Sequence, residues 1–331
     1  MKAELISKAE CAQPGPSRLT HGQGWFTQEQ GLLTLLDREF TPFRTFDLGE
    51  DLSSFAVSPD LTRVVAGGKD HIRLLDEHGT TLWSVEHTPW GTGYSYSGSC
   101  AFSADGSQVW ATVPETGPGC EPHDEDAEDD EDAEDAWLEG DEWWVVNAAT
   151  GALMARKWLG CEATGSVTHL HPDGVHMGLD VGEGQDGSRI YWGAYENGVL
   201  RLSATDDVTR ALTDIHPDGH AYVTIPRDAD GISVHTFPGR AVIAHRPDRD
   251  FLRSDEWPID ARYLDRESIL VETVDRNWTC ARHLVLDAED LRFRGEITYP
   301  PGTVPSSFHS VHAGTWHTND GNHLCAWRPG R

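Results

Sequence analysis

The sequence predicts an all-β chain: a seven-bladed β-propeller of four-stranded antiparallel blades, with the ring closed by the N-terminal strand. Three observations lead there. A turn hexad recurs as AVSPDL (56–61), AFSADG (101–106), HLHPDG (169–174) and DIHPDG (214–219). Each copy is followed by an apolar run, a polar loop and a second β-rich run (TRVVAGG, SQVWATV, VHMGLDV, HAYVTIP). Nowhere does a long i, i+3, i+4, i+7 apolar stripe persist, so the periodicity is that of strands and turns.

The hexad aspartates are Asp60, Asp105, Asp173 and Asp218, at intervals of 45, 68 and 45 residues. Weaker copies place Asp265 47 residues further on and Ala313 another 48. A period near 45 with four short strands per unit is the trace of a propeller blade. The blades read as Ser17–Leu48, Ser53–Glu86, Gly98–Leu159, Gly165–Ala204, Arg210–Arg246, Pro258–Tyr299 and Ser306 to the C-terminus. Asp37, Asp76, Asn147 and Asp287 take equivalent places in the turn before the outermost strand, where a short polar side chain bonds its own backbone. The seventh unit runs out one strand short, and AELISKAE (3–10) is the segment available to complete it and leave no long open edge. Residues 1–331 are therefore read as one domain.

The stretches FAVSPDLTRVVAGGKDHIRLLDEHGTTLW, CAFSADG and WWVVNAATGALMARKWL resemble the WD40-like propeller family, and the likeness extends over almost the whole length. No blade carries a Trp-Asp dipeptide or a Gly-His pair at the usual places. The resemblance implies a scaffold for partner binding, and no more.

Composition narrows the function classes. Thirteen tryptophans and 38% apolar residues can fill the seams between blades. Residues 1–13 lack an apolar h-region and no run approaches about 18 apolar residues, so a cytoplasmic monomer is expected. Six scattered cysteines without a C-x-x-C pair read as free thiols. A net charge of −29 repels phosphate backbones and anionic lipids, which argues against nucleic acid and membrane as partners. GEGQDG (182–187) fits G-x-G-x-x-G, but a strand follows where pyrophosphate binding needs a helix N-terminus.

The 68-residue interval hides an acidic insertion, residues 119–142 of blade three, expected to be disordered. Between Glu121 and Glu142 it holds 14 carboxylates and no Lys or Arg, and without that stretch the net charge would be −15. It joins the second and third strands of its blade, and the equivalent loops elsewhere also carry acids. A propeller gathers these loops on one face. The expected working surface is thus Asp124, Glu125, Asp126, Glu128, Asp129, Asp130, Glu131, Asp132, Glu134 and Asp135 of the insertion, with Asp186, Asp228, Asp230 and Asp320 of neighbouring blades. Its partner would be a basic protein or peptide. Other readings stand beside it: the insertion as a solubilising spacer or a low-affinity divalent-cation sink, and the loop acids as ordinary turn residues.

Seventeen histidines raise the question of metal. His171 and His216 replace Ser58 and Ser103 of the hexad, so each reads as a turn residue bonding nearby backbone, and His171→Ser or His216→Ser is expected to cost no more than about 1 kcal/mol. A sharper alternative takes His169 and His171, at strand spacing two, with His309 and His312 of blade seven as ligands in the central channel for zinc or iron. No G-x-S-x-G elbow or H-E-x-x-H motif occurs. The expectation is a non-catalytic binding scaffold without a cofactor. The alternatives are a hydrolase or lyase with a channel metal, and an immunity or regulatory factor that neutralises a basic partner.

Overall fold

The computed structural model describes residues 1–10, 17–18, 25–29, 31–37, 40–49, 52–90, 98–114, 140–161, 164–184, 187–205, 207–227, 230–277, 280–303, 307–312, 314–320 and 323–330. They form seven four-stranded antiparallel sheets, six of them pairing their strands in sequence order from the channel outward. Blade four is representative: Gly165–Leu170, His176–Gly182, Ser188–Glu196 and Val199–Ala204. Its second strand is buried nearly throughout while its outermost strand alternates exposed and covered positions. This is the pattern of sheets that pack face to face and meet solvent only at the rim. The seams are filled by large side chains, as where Trp110 and Trp143 meet edge-on at 4.9 Å.

Blade seven closes as expected. Its own strands are Phe308–His312, Thr315–Asp320 and His323–Pro329, and the fourth is Ala3–Glu10, antiparallel to His323–Pro329 from Ala3↔Pro329 to Glu10↔His323. Arg328 adds a two-pronged ion pair to Glu4, with contacts of 3.0 and 2.8 Å. The same segment also ties to blade six, through Ala3 N–H to the Thr298 carbonyl (2.9 Å) and Thr298 N–H to the Met1 carbonyl (2.7 Å). The first residues thus hold two blades at once.

The Asx turns take the predicted form. A side-chain oxygen of Asp37, Asp76, Asn147 and Asp287 accepts a backbone N–H two or four residues on, at 2.8–3.0 Å. The hexads do something the sequence does not show. The carbonyl of the residue after the hexad aspartate accepts a hydrogen bond from the preceding blade. Arg44 reaches Leu61 (2.5 Å), Arg63 reaches Gly106 (3.5 Å), His171 Nε2 reaches Gly219 (2.9 Å) and His216 Nε2 reaches Arg266 (3.1 Å). At Leu61, Gly106 and Gly219 the backbone is left-handed, with φ of 61°, 69° and 75°, which turns that carbonyl.

His171 and His216 are therefore turn residues, as expected: Asp173 N–H and Asp218 N–H donate to their Nδ1 atoms at 3.3 and 3.1 Å. The expected near-neutrality of a serine there needs correcting, because each ring also bonds the next blade. His171 is 3% exposed and packs against Phe237, ring centres 4.1 Å apart. The insertion boundary also moves. Asp141 and Glu142 begin the third strand of blade three and are buried there, with Glu142 accepting from Trp144 Nε1 at 2.7 Å. Both residues belong to the fold: the ladder pairs their backbone, and the Glu142 carboxylate meets the Trp144 indole and, at 3.5 Å, the Arg156 guanidinium.

Removing the closing strand exposes two blades, so a chain lacking residues 1–10 should melt at least several degrees lower, at about 2–4 °C per kcal/mol for domains of this class. An unchanged melting curve would rule out closure by this segment. His171→Ser leaves the Gly219 carbonyl unpaired and a cavity beside Phe237. Urea denaturation should show a loss of about 2–3 kcal/mol, beyond the 1 kcal/mol the turn alone would suggest.

Candidate functional site

Second-to-third-strand loops and blade-to-blade connections share one face of the ring, and there the channel opens into a cleft of about 1060 Å³ between blades four, five and six. The innermost strands Gly165–Leu170, Arg210–Ile215 and Trp257–Tyr263 wall it, with Gly184, Gly187, Arg227 and Asp248 from the loops above. The chain leaves blade three for the acidic insertion on this same face, at the paired residues Pro114 and Asp141.

The floor of the cleft is ionic. Arg262 pairs with Asp260 at 2.9 Å, and this contact holds the guanidinium still more firmly charged, with Asp214 and Glu272 adding their fields. Asp214 accepts the Ile215 and Tyr263 N–H groups at 2.9 and 2.8 Å. Burial pushes its carboxyl up to about 6 although Arg262 pulls it down. Glu272, 1% exposed, accepts the Phe308 N–H at 3.0 Å through Oε2, while its Oε1 meets no partner. Burial raises its pKa too. One guanidinium thus faces three carboxylates, two of which resist ionising. In the cleft lining itself the carboxylates of Asp180, Asp248 and Asp260 stand against the guanidiniums of Arg227 and Arg262, one acid in excess when all are ionised.

These acids are also structural. Asp180 accepts the Leu212 N–H at 3.0 Å, so Asp180, Asp214 and Glu272 each bond the innermost strand of the next blade. Burial raises the Asp180 pKa as well. Higher in the cleft, Asp248 is raised by burial, with Asp230 repelling it, and its Oδ1 has no hydrogen-bond partner. His169 faces the cleft. Burial, with Arg262 adding to it, pushes its pKa down to about 3, so the ring is neutral, and Nε2 meets no partner.

Of the loop acids expected from sequence, the ten of the insertion, Asp124 to Asp135, and Asp186 and Asp228 lie outside the described residues. Asp230 is at the cleft, where its carboxylate accepts the Asp248 N–H at 2.9 Å. Asp320 ends a strand of blade seven opposite His323. The channel histidines separate: His169 lines the cleft, whereas His171 lies beyond the strand end and turns to Gly219. His309 and His312 sit on the innermost strand of blade seven, and their side chains are outside the description. Sequence reading missed Asp180, Asp214, Asp248, Asp260, Arg262 and Glu272. The signal was a single acid inside an otherwise apolar strand, as in VHMGLDV and SILVETV.

A carboxyl with a raised folded-state pKa gives stability that is present below its unfolded value near 3.8 and is lost as pH rises through about 6. Asp214→Asn has no such proton to release. The melting temperature of this variant minus that of the wild type should be flat below about pH 4 and shift in the variant's favour between pH 4 and 7. A flat difference across the whole range would contradict the assignment.

No protein-family model matches the chain, and no curated protein matches it. Solved structures do. The β-propeller domain of Cps50 (Swd1) from Myceliophteria thermophila aligns with a TM-score of 0.62 and 9% identity, covering 99% of this chain and 100% of that one. The Pan2 WD40 domain of Neurospora crassa aligns at 0.59 and 10%, covering 99% and 96%. Kuenenia stuttgartiensis hydrazine synthase aligns at 0.54 and 14%, covering 84% and 78%. At such identities the likeness concerns the fold alone, and on that ground the chain has the fold of a seven-bladed β-propeller.

Proposed function

We propose that the protein is a non-catalytic binding propeller that captures a basic protein or peptide, seating an arginine or lysine of the partner in the cleft at the channel mouth. The observation that carries this reading is the charge balance of the cleft lining, where the carboxylates of Asp180, Asp248 and Asp260 outnumber the guanidiniums of Arg227 and Arg262. A further cation there would let the raised carboxyls of Asp180 and Asp248 ionise and would pair with the free Oδ1 of Asp248. Trp257, 47% exposed at the edge of the same cleft, offers a face for a cation or an aliphatic stem. The insertion acts at longer range. The 12 carboxylates from Glu121 to Glu139 draw a cationic surface toward this face, an attraction that fades as the Debye length falls from about 10 Å at 0.1 M salt to about 3 Å at 1 M.

Fluorescence anisotropy with labelled arginine- and lysine-rich peptides, against acidic controls, tests both parts. Asp248→Asn with Asp260→Asn should weaken the basic peptides at least about tenfold by removing two charge-assisted contacts. Replacing residues 119–138 with a short Gly-Ser turn should slow association and flatten its salt dependence while dissociation changes little. Equal binding of basic and acidic peptides, or of wild type and the double variant, would defeat the proposal.

A further inference from the structure

We infer that the opposite face of the ring carries a site for a divalent transition-metal ion in blade four, formed by His171, Asp173 and His176, with a weaker copy in blade five formed by His216, Asp218 and His220. In each triad the three ligand atoms lie within 4.8 Å of one another. Both triads sit in the turn between the first and second strands, well apart from the cleft.

The case rests on what the histidine changes in the hexad. In blades two and three the hexad serine donates its hydroxyl proton to the aspartate, Ser58 to Asp60 at 2.5 Å and Ser103 to Asp105 at 2.7 Å. In blade four His171 stands in that place, and its Nε2 bonds the Gly219 carbonyl at 2.9 Å. A carbonyl only accepts, so Nε2 carries the hydrogen and Nδ1 of the neutral ring presents a lone pair. The Asp173 N–H pointing at Nδ1 agrees with this. Yet Nδ1 also lies 3.0 Å from Asp173 Oδ1. Two acceptors at that separation repel unless a proton or a metal ion lies between them. With metal–ligand bonds of about 2.0–2.2 Å, neighbouring donor atoms stand about 3.0–3.4 Å apart, which is the spacing observed.

Asp173 is shared between the two rings: His176 Nδ1 lies 2.6 Å from its Oδ2, a hydrogen bond that must lose its proton and open to about 3 Å for both groups to hold one ion. A hydrogen bond from the far nitrogen of a ligating imidazole to a backbone carbonyl is the usual device for fixing its tautomer and aim, and Gly219 supplies it. His171 is buried and anchored, whereas Asp173 and His176 lie at the surface, which leaves open positions for water or a partner's ligand. Two imidazoles and one carboxylate suit zinc, cobalt or nickel rather than calcium or magnesium. Blade five repeats the plan, with His216 Nε2 on the Arg266 carbonyl and the rings of His216 and His220 4.1 Å apart. There the Arg266 guanidinium lies 2.9 Å from Asp218 and competes for its carboxylate, which makes this copy the weaker.

Titration calorimetry of the untagged, metal-free protein with Zn²⁺, alongside Co²⁺ absorption, tests the inference. Wild type should bind one equivalent tightly and a second more weakly. His176→Gln should weaken the tight site at least about tenfold and leave the weak one, and His220→Gln should do the reverse. Both side chains reach the surface, so the two variants should melt like wild type without metal. Should Zn²⁺ fail to bind wild type at micromolar concentrations, or should His176→Gln bind it with unchanged stoichiometry and affinity, the site does not exist.

Discussion

Everything in this molecule depends on hydrogen bonds that pass from one blade to the next. A four-stranded sheet satisfies its own interior ladders but says nothing about the angle at which its neighbour packs, and apolar seams are poorly directional. Two sets of polar contacts supply the direction. On one face Arg44, Arg63, His171 and His216 reach the turn carbonyl of the following hexad. Nearer the channel Asp180, Asp214 and Glu272 accept an N–H from the following innermost strand. The second set buries carboxylates, and it is this structural use of acids that creates the electrostatic character of the cleft.

Scaffold and site are therefore not separable here. An acid that ties two blades together must be buried, burial raises its pKa, and one such acid, Asp180, lines the cleft with Arg227. The acidic surface and the acidic floor have different origins: the first is a matter of loops and one insertion, the second of second-strand and innermost-strand residues.

Most of the architecture could be read from spacing. The interval of 45 residues, the Asx turns at Asp37, Asp76, Asn147 and Asp287, and the missing strand of blade seven each constrain the chain locally, so a linear sequence records them. What could not be read were relations between positions some 45 residues apart whose chemistry varies. The donor to the hexad carbonyl is an arginine at two boundaries and a histidine at two others, taken from different strands or turns, so no repeated letter marks it. Asp180 and Glu272 look like isolated acids in apolar strands until the neighbouring blade is in place. Asp141 and Glu142 join an acidic run by composition but a strand by pairing, because the ladder with Gln108–Pro114 outweighs their charge. For His171 the alternation of a strand suggested a channel-facing ring, and the end of the strand at Leu170 redirected it.

Closure by the N-terminal strand sets the order of assembly during synthesis. Ala3–Glu10 is made first, yet its partner His323–Pro329 is made last, roughly 300 residues later. At about 5–20 residues per second the early strand waits on the order of 15–60 s with its backbone edge unpaired. During that interval the growing ring is an open arc with two exposed edges, the form most prone to pairing with another chain. The hexad bonds act between sequential blades and can form as each blade emerges, so the arc is preshaped to meet its own beginning.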